Sequence, residues 1–197
     1  MGLSIDQDIS GTGGNWTADP IGDAFARVGA CGKSFGRGIF KFHDTESGHA
    51  GTGAVAAVFP QLAGSTAAFA VDWLGVQYCV VAAGHTPSGH DEVVAVDPFD
   101  LSVVPIVEHG EFLGFLSSPL MLEQVQAALF AEWLAASGND HVGWGRCAGV
   151  LQPEFLGGER TAATLEEQDL AVYWEIARRA AVAAAPLREG EALERLE

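Results

Sequence analysis

The sequence predicts an α+β fold: a single domain with a largely antiparallel sheet of about five strands, flanked by N-terminal and C-terminal helices. Three observations lead there. The stretch Phe69-Ala70-Val71-Asp72-Trp73-Leu74-Gly75-Val76-Gln77-Tyr78-Cys79-Val80 reads as two strands around a tight turn. Phe69, Val71 and Trp73 alternate with Ala68, Ala70 and Asp72, and Val76, Tyr78 and Val80 with Gln77, Cys79 and Val81. Two more extended runs, Glu92 to Val96 and Ser102 to Val107, follow with no helix between them, as antiparallel neighbours require. Finally, 197 residues at 48% hydrophobic can bury a core of this size.

Taken in order, residues 1–18 are rich in Gly, Asp, Ser and Thr, and the expectation is a loosely attached arm with Trp16 as its one large apolar anchor. Asp19-Pro20 supplies an N-cap and an N1 proline for a short helix carrying Ile21, Ala24, Phe25 and Val28 and ended by Gly29. Ser34 to His43 is extended, centred on Ile39-Phe40-Lys41-Phe42, and Asp44 to Gly53 reads as a polar loop before a helical turn from Ala54 closed by Pro60. In the central strands the aromatic and β-branched residues suit a half-buried pleated surface, and Gly75 suits a positive φ at the turn. Gly84 to Asp91 is a loop, and Asp97-Pro98-Phe99-Asp100 a turn between strands. Ser118-Pro119 opens a helix with Leu122, Val125, Leu129 and Trp133 on one face, and Ser137 to Gln152 reads as irregular. Thr164-Leu165-Glu166-Glu167 forms a capping-box pattern, so a helix is expected from there, buried along Leu165, Val172, Ile176 and Ala180 and stopped by Pro186. The domain therefore spans 19–186, with 187–197 a charged tail.

Charge is the strongest compositional fact. Ten Lys and Arg face 26 Asp and Glu, a net charge of −16, which argues against direct nucleic-acid binding because phosphates need cations. Between Lys41 and Arg146 there is no Lys or Arg, while that stretch holds twelve carboxylates and all six histidines. Two readings stand: a solubilising acidic surface, or a face that steers a basic partner. The longest apolar runs, such as Val76 to Ala83, fall short of the ~20 residues a membrane span needs. The N-terminus lacks the pattern of a secretory signal, and Cys31, Cys79 and Cys147 are odd in number and far apart, so the expected compartment is the cytoplasm.

Several patterns touch on chemistry. Gly32-Lys33-Ser34-Phe35-Gly36 matches a nucleophile elbow, but a helix precedes and a strand follows, the reverse of the required context. Gly51-Thr52-Gly53-Ala54-Val55-Ala56 fits a dinucleotide fingerprint with Asp72 downstream, yet no buried strand precedes it. His85, His90 and Asp91, with His43 and His49, could meet at a metal, although their spacing is not that of a zinc site. Asp97 and Asp100 flank a turn, which explains them more simply than acid–base work does.

A set of segments resembles a known family. Gly36-Arg37-Gly38-Ile39-Phe40-Lys41-Phe42 resembles its first strand, Phe69 to Gln77 its central strand, and Val94-Ala95-Val96-Asp97-Pro98 the strand after it. Glu111-Phe112-Leu113-Gly114-Phe115-Leu116 resembles its "EFL" segment, and Pro153 to Gly158 with Leu165 to Trp174 its C-terminal signature. The ordered set is similar to the SUKH-like immunity superfamily, closest to the domain in the C-terminal half of type VI secretion DNase immunity proteins. The resemblance implies a protein with no enzymatic activity, cofactor or metal, which binds and neutralises a cognate bacterial toxin, a basic nuclease-type effector, through an acidic face. Carboxylates in predicted loops or at strand ends are the first candidates for that face: Asp91, Glu92, Asp97, Asp100, Glu108 and Glu111. A general protein-interaction module without a toxin, or a small metal-dependent hydrolase using the histidine loops, remain the alternatives.

Overall fold

In the computed structural model, which describes residues 4–184, the first described strand lies at the edge of a sheet. Strand β1 (Ile5–Asp8) pairs antiparallel with β2 (Lys33–Phe35), so the expected arm is instead an edge strand, and Trp16 is buried with its indole Nε1 donating to Ala68 O at 2.7 Å. Helix α1 (Ser10–Gly13) is a single turn, and α2 (Ala24–Arg27) is as short as expected, ending before Gly29 at φ +64°. Its stripe is shorter than the spacing suggests: Ile21 and Phe25 are buried while Val28 is exposed.

The extended run at 34–43 is two strands, β2 and β3 (Phe40–Phe42), around a turn. Next comes the largest departure from expectation. The polar 44–53 segment is the first half of helix α3 (Thr45–Val58), because Asp44 and Ser47 form a reciprocal capping box. The glycines that suggest a loop are there for packing. A Cβ at Gly48 would meet the Trp16 indole at 2.4 Å, and one at Gly51 would meet Gln77 Oε1 at 2.8 Å.

Strands β4 (Thr66–Asp72), β5 (Gln77–Val81), β6 (Glu92–Asp97) and β7 (Ser102–Glu108) complete a seven-stranded antiparallel sheet in simple sequence order, two strands more than expected. At the β4–β5 turn Gly75 takes φ +84°, and Asp72 Oδ1 accepts from the backbone N–H of Leu74 and Val76. A register shift between Ala68 and Ala70 breaks the simple alternation. Phe69 joins Phe25, Phe40, Phe42 and Phe112 on one face, whereas Val71 lies across from Lys41 and Gln77.

Strands β4 and β5 are buried along their whole length rather than half-buried, because both sheet faces are covered. The aromatic face packs under α2, α4 (Phe112–Leu116), α5 (Pro119–Gln124) and α6 (Ala127–Ser137). The expected helix after Ser118 is divided into α5 and α6 by Gln126 at φ +50°, with Trp133 buried and Trp73 Nε1 bound to Val125 O. The other face packs under α3 and the C-terminal helix α7 (Leu170–Ala184), around Val55, Cys79, Val94, Val96 and Trp174.

The irregular 137–152 region contains β8 (Arg146–Val150), which pairs with β9 (Leu165–Asp169) in a second small sheet. The expected helix from Thr164 is thus a strand first, and α7 begins at Leu170, where Asp169 Oδ1 accepts from the N–H of Ala171 and Val172. Moving the start by five residues rotates the buried stripe onto Tyr173, Trp174, Ala177 and Ala180, leaving Val172 and Ile176 exposed. Pro186 and the charged tail lie outside the described residues. Among the described residues, no helix is long and apolar enough to cross a membrane.

Candidate functional site

The six candidate carboxylates all lie on or beside the β6–β7 hairpin, and the fold separates them by its two ends, about 17 Å apart at the usual strand rise. At the turn, Asp97 is buried and binds Arg160 through both oxygens at 2.8 Å, while its Oδ1 also accepts from Phe99 N. Asp100 Oδ1 accepts from Ser102 N. Nearby, Asp72 is also buried. Burial, with the Asp97 charge adding to it, pushes the Asp72 carboxyl up to about 7. These carboxylates build the turn and the cleft beside it, which Glu123 and Arg160 also line.

At the opposite end Asp91, Glu92, Glu108 and Glu111 come together. Glu92 and Glu108 are direct cross-strand partners, and His109 N donates to Asp91 O, closing the hairpin's open end. A 3₁₀ turn, His109–Glu111, then carries Glu111 to the start of α4. Glu108 and Glu111 are exposed, and Asp91 Oδ1 accepts from Ala83 N. Like charges directly opposite one another destabilise a sheet. Among the described residues no Lys or Arg relieves them: Lys33, Arg27, Arg146, Arg160, Arg178 and Arg179 pair with other carboxylates. Lys41 and Arg37 are held on backbone carbonyls.

Beside this end lies apolar surface. Val28 (57% exposed) and Leu113 (39%) separate two adjoining hollows. One, about 530 Å³, is floored by Phe35, Phe40 and Phe42 and edged by Ile5, itself 53% exposed. The other is walled by Phe25, His109 and Gly110. Here His109 Nε2 is buried with no hydrogen-bond partner among the described residues, and burial lowers the imidazole pKa despite the Asp91 charge. An apolar centre with a polar, charged rim is the composition of a protein-binding surface.

The other motifs do not assemble. Ser34 is buried in β2 with its hydroxyl unpartnered among the described residues, and Gly51 to Ala56 lies inside α3 rather than at a strand–helix turn. His85 and His90 are exposed, His43 is buried, and His49 packs edge-on against Trp16 at 4.5 Å. Among the described residues no group of three or more His, Cys, Asp or Glu could hold a metal ion. Sequence reasoning missed Arg160, the partner of Asp97, and the apolar hollows. No local sequence pattern marks Arg160, because its partner Asp97 lies 63 positions earlier.

No protein-family model matches the sequence, and no curated protein matches it. Among solved structures, the chain is similar to the crystal structure of Atu4351 from Agrobacterium tumefaciens, with a TM-score of 0.52 and 15% identity. The alignment covers 75% of this chain and 69% of that one, and at this identity the likeness concerns the fold alone.

Proposed function

We propose that the protein is a binding protein of the immunity type, which neutralises a basic partner by covering it with the open end of the β6–β7 hairpin and the adjoining apolar hollows. On the family resemblance, the partner is a nuclease-type toxin. The observation that carries this reading is the Glu92–Glu108 pair, two carboxylates set opposite each other with no cation paired to them among the described residues, beside the exposed Val28 and Leu113. Such an arrangement costs stability in the free protein and is relieved when Lys or Arg of a partner arrives. The apolar hollows supply what charge alone does not, desolvated sites for anchoring side chains. Asp97 and Asp100 belong to the turn's own hydrogen bonds and are not part of this face.

Affinity capture from the native host, with mass spectrometry of the eluate, tests the class; a stoichiometric basic toxin-domain protein is the expected result. Its affinity should fall several-fold between about 50 and 300 mM salt, since exposed pairs are screened over a Debye length of ~10 Å or less. Glu92→Gln with Glu108→Gln should weaken binding and flatten that salt dependence, whereas Asp100→Asn should change neither. Capture of no such protein, or binding indifferent to salt and to the Glu pair, would overturn the proposal.

A further inference from the structure

On the opposite sheet face, between α3 and α7, lies a cavity of about 300 Å³ that plays no part in the partner face described above. Its walls are apolar: Ala50, Gly51, Ala54 and Ala57 of α3 on one side, Leu170 and Trp174 of α7 on the other. Its floor is polar. His43 Nε2 lies 2.8 Å from Gln77 Oε1, two side chains on neighbouring parts of the sheet that are almost fully buried. With the amide oxygen accepting, the imidazole carries its proton on Nε2.

The Gln77 side chain is 1% exposed and lines the cavity, and among the described residues His43 is its one hydrogen-bond partner. Its NH2 group therefore has no acceptor among the described residues, and it keeps some contact with solvent through the cavity. An amide donor that opens into a mostly apolar cavity is left to water or to the acceptor of a ligand. The charged groups at the mouth are already matched: Glu175 by Arg178 and Arg179, and Asp169 by two backbone N–H groups of α7. Burial pushes His43 down to about 4, so the ring is neutral near pH 7. Apolar walls, one free donor and no free charge are the lining of a site for a small uncharged molecule.

We infer that the α3–α7 cavity binds a small neutral ring compound bearing a carbonyl oxygen, which seats between the alanine side of α3 and Trp174 and accepts from the Gln77 amide. The glycine at position 51 is what lets a helix stand directly above the His43–Gln77 pair, since a Cβ there would sit 3.0 Å or less from both.

Benzamide is the probe, with toluene (same ring, no acceptor) and benzoate (same ring, charged) as comparators, titrated into the ¹⁵N-labelled full chain. Saturable shifts of the Gln77 side-chain NH2 and the Trp174 indole N–H are expected with benzamide, at a Kd of about 1 mM or tighter for a ligand of this size. Toluene and benzoate should bind at least about tenfold more weakly, the equivalent of one lost hydrogen bond. Gln77→Leu should remove the preference for benzamide. Because that change also deprives His43 of its partner, Ala50→Trp, at an exposed rim position, provides a second test and should abolish binding by plugging the mouth. No saturable shift with benzamide, equal affinity for toluene, or binding unaffected by Ala50→Trp would each overturn the inference.

Discussion

The two ends of the β6–β7 hairpin carry the same kind of residue and use it in opposite ways. At the turn, Asp97 is buried and bound through both oxygens to Arg160, whose guanidinium also sits 4.4 Å above the Phe99 ring. At the open end, Glu92 faces Glu108 with no Lys or Arg ion-paired to either among the described residues. A carboxyl that is desolvated must be partnered internally, as Asp97 is, or hold its proton, as Asp72 does. A carboxylate at the surface is free to be held for something outside. Counting acidic residues therefore does not locate a binding face; what matters is which of them the fold has already satisfied.

The sharpest way to break this contrast is at Asp97. Asp97→Ala leaves the Arg160 charge with little water and no counter-charge, and takes the acceptor from Phe99 N. Removing one partner of such a pair costs about 3–5 kcal/mol. The double change Asp97→Leu with Arg160→Met should recover most of it, because an apolar pair of similar volume needs no compensation. Glu111→Ala at the open end should stay within about 0.5 kcal/mol of the parent. Urea denaturation midpoints measure all three, and an Asp97→Ala loss no greater than that of Glu111→Ala would erase the distinction.

The buried carboxyl beside the turn adds a pH signature. Asp72 is raised from its ordinary 3.8 to about 7, so the folded state holds this proton after the unfolded chain has released it. Its contribution is fully present below about pH 4 and is lost as pH rises through 7. His43 does the reverse: lowered from 6.5 to about 4, it stays neutral in the fold while the unfolded chain takes up a proton, so stability falls as pH drops from 6.5 toward 4. The two slopes oppose each other across pH 4 to 6.5. Asp72→Asn keeps an oxygen for the Leu74 and Val76 N–H groups and removes one slope. Relative to the parent, the variant should gain stability between pH 4 and 7, by on the order of 4 kcal/mol for a shift of about three units. A difference that is constant across this range would mean that Asp72 is not held protonated in the fold.

How much of this was legible differs from element to element. The hairpin at Asp72 to Gln77, the turn at Asp97 to Asp100 and the positive φ at Gly75 follow from local chemistry, and local patterns carry them. Helix α3 does not follow from composition. Its Gly48 and Gly51 resemble loop residues until Trp16 and Gln77 are known to press against them, contacts 32 and 26 positions away in the chain. The strand at Leu165–Asp169 was hidden for a similar reason: its polar Glu-Glu-Gln run resembles a helix start, and the partner that makes it a strand is β8. The candidate carboxylates were legible as residue types, but their division into satisfied and unsatisfied groups depends on Arg160, 63 positions from Asp97.

The smallest expected effect is also the most telling. Glu92 and Glu108 are cross-strand partners on an edge hairpin, and a like-charge pair in that position is unfavourable by about 0.2–1 kcal/mol. Glu108→Lys should therefore raise the urea midpoint slightly, by a few tenths of a kcal/mol, because it turns a repulsion into an attraction with Glu92. The same change should weaken association with a basic partner, mainly by slowing the on-rate. A protein that gains stability and loses binding through one surface substitution is keeping an unfavourable pair for the sake of its partner. If Glu108→Lys lowers stability, or leaves the on-rate for a captured basic partner unchanged, the open end is ordinary acidic surface and the contrast between the two ends loses its functional meaning.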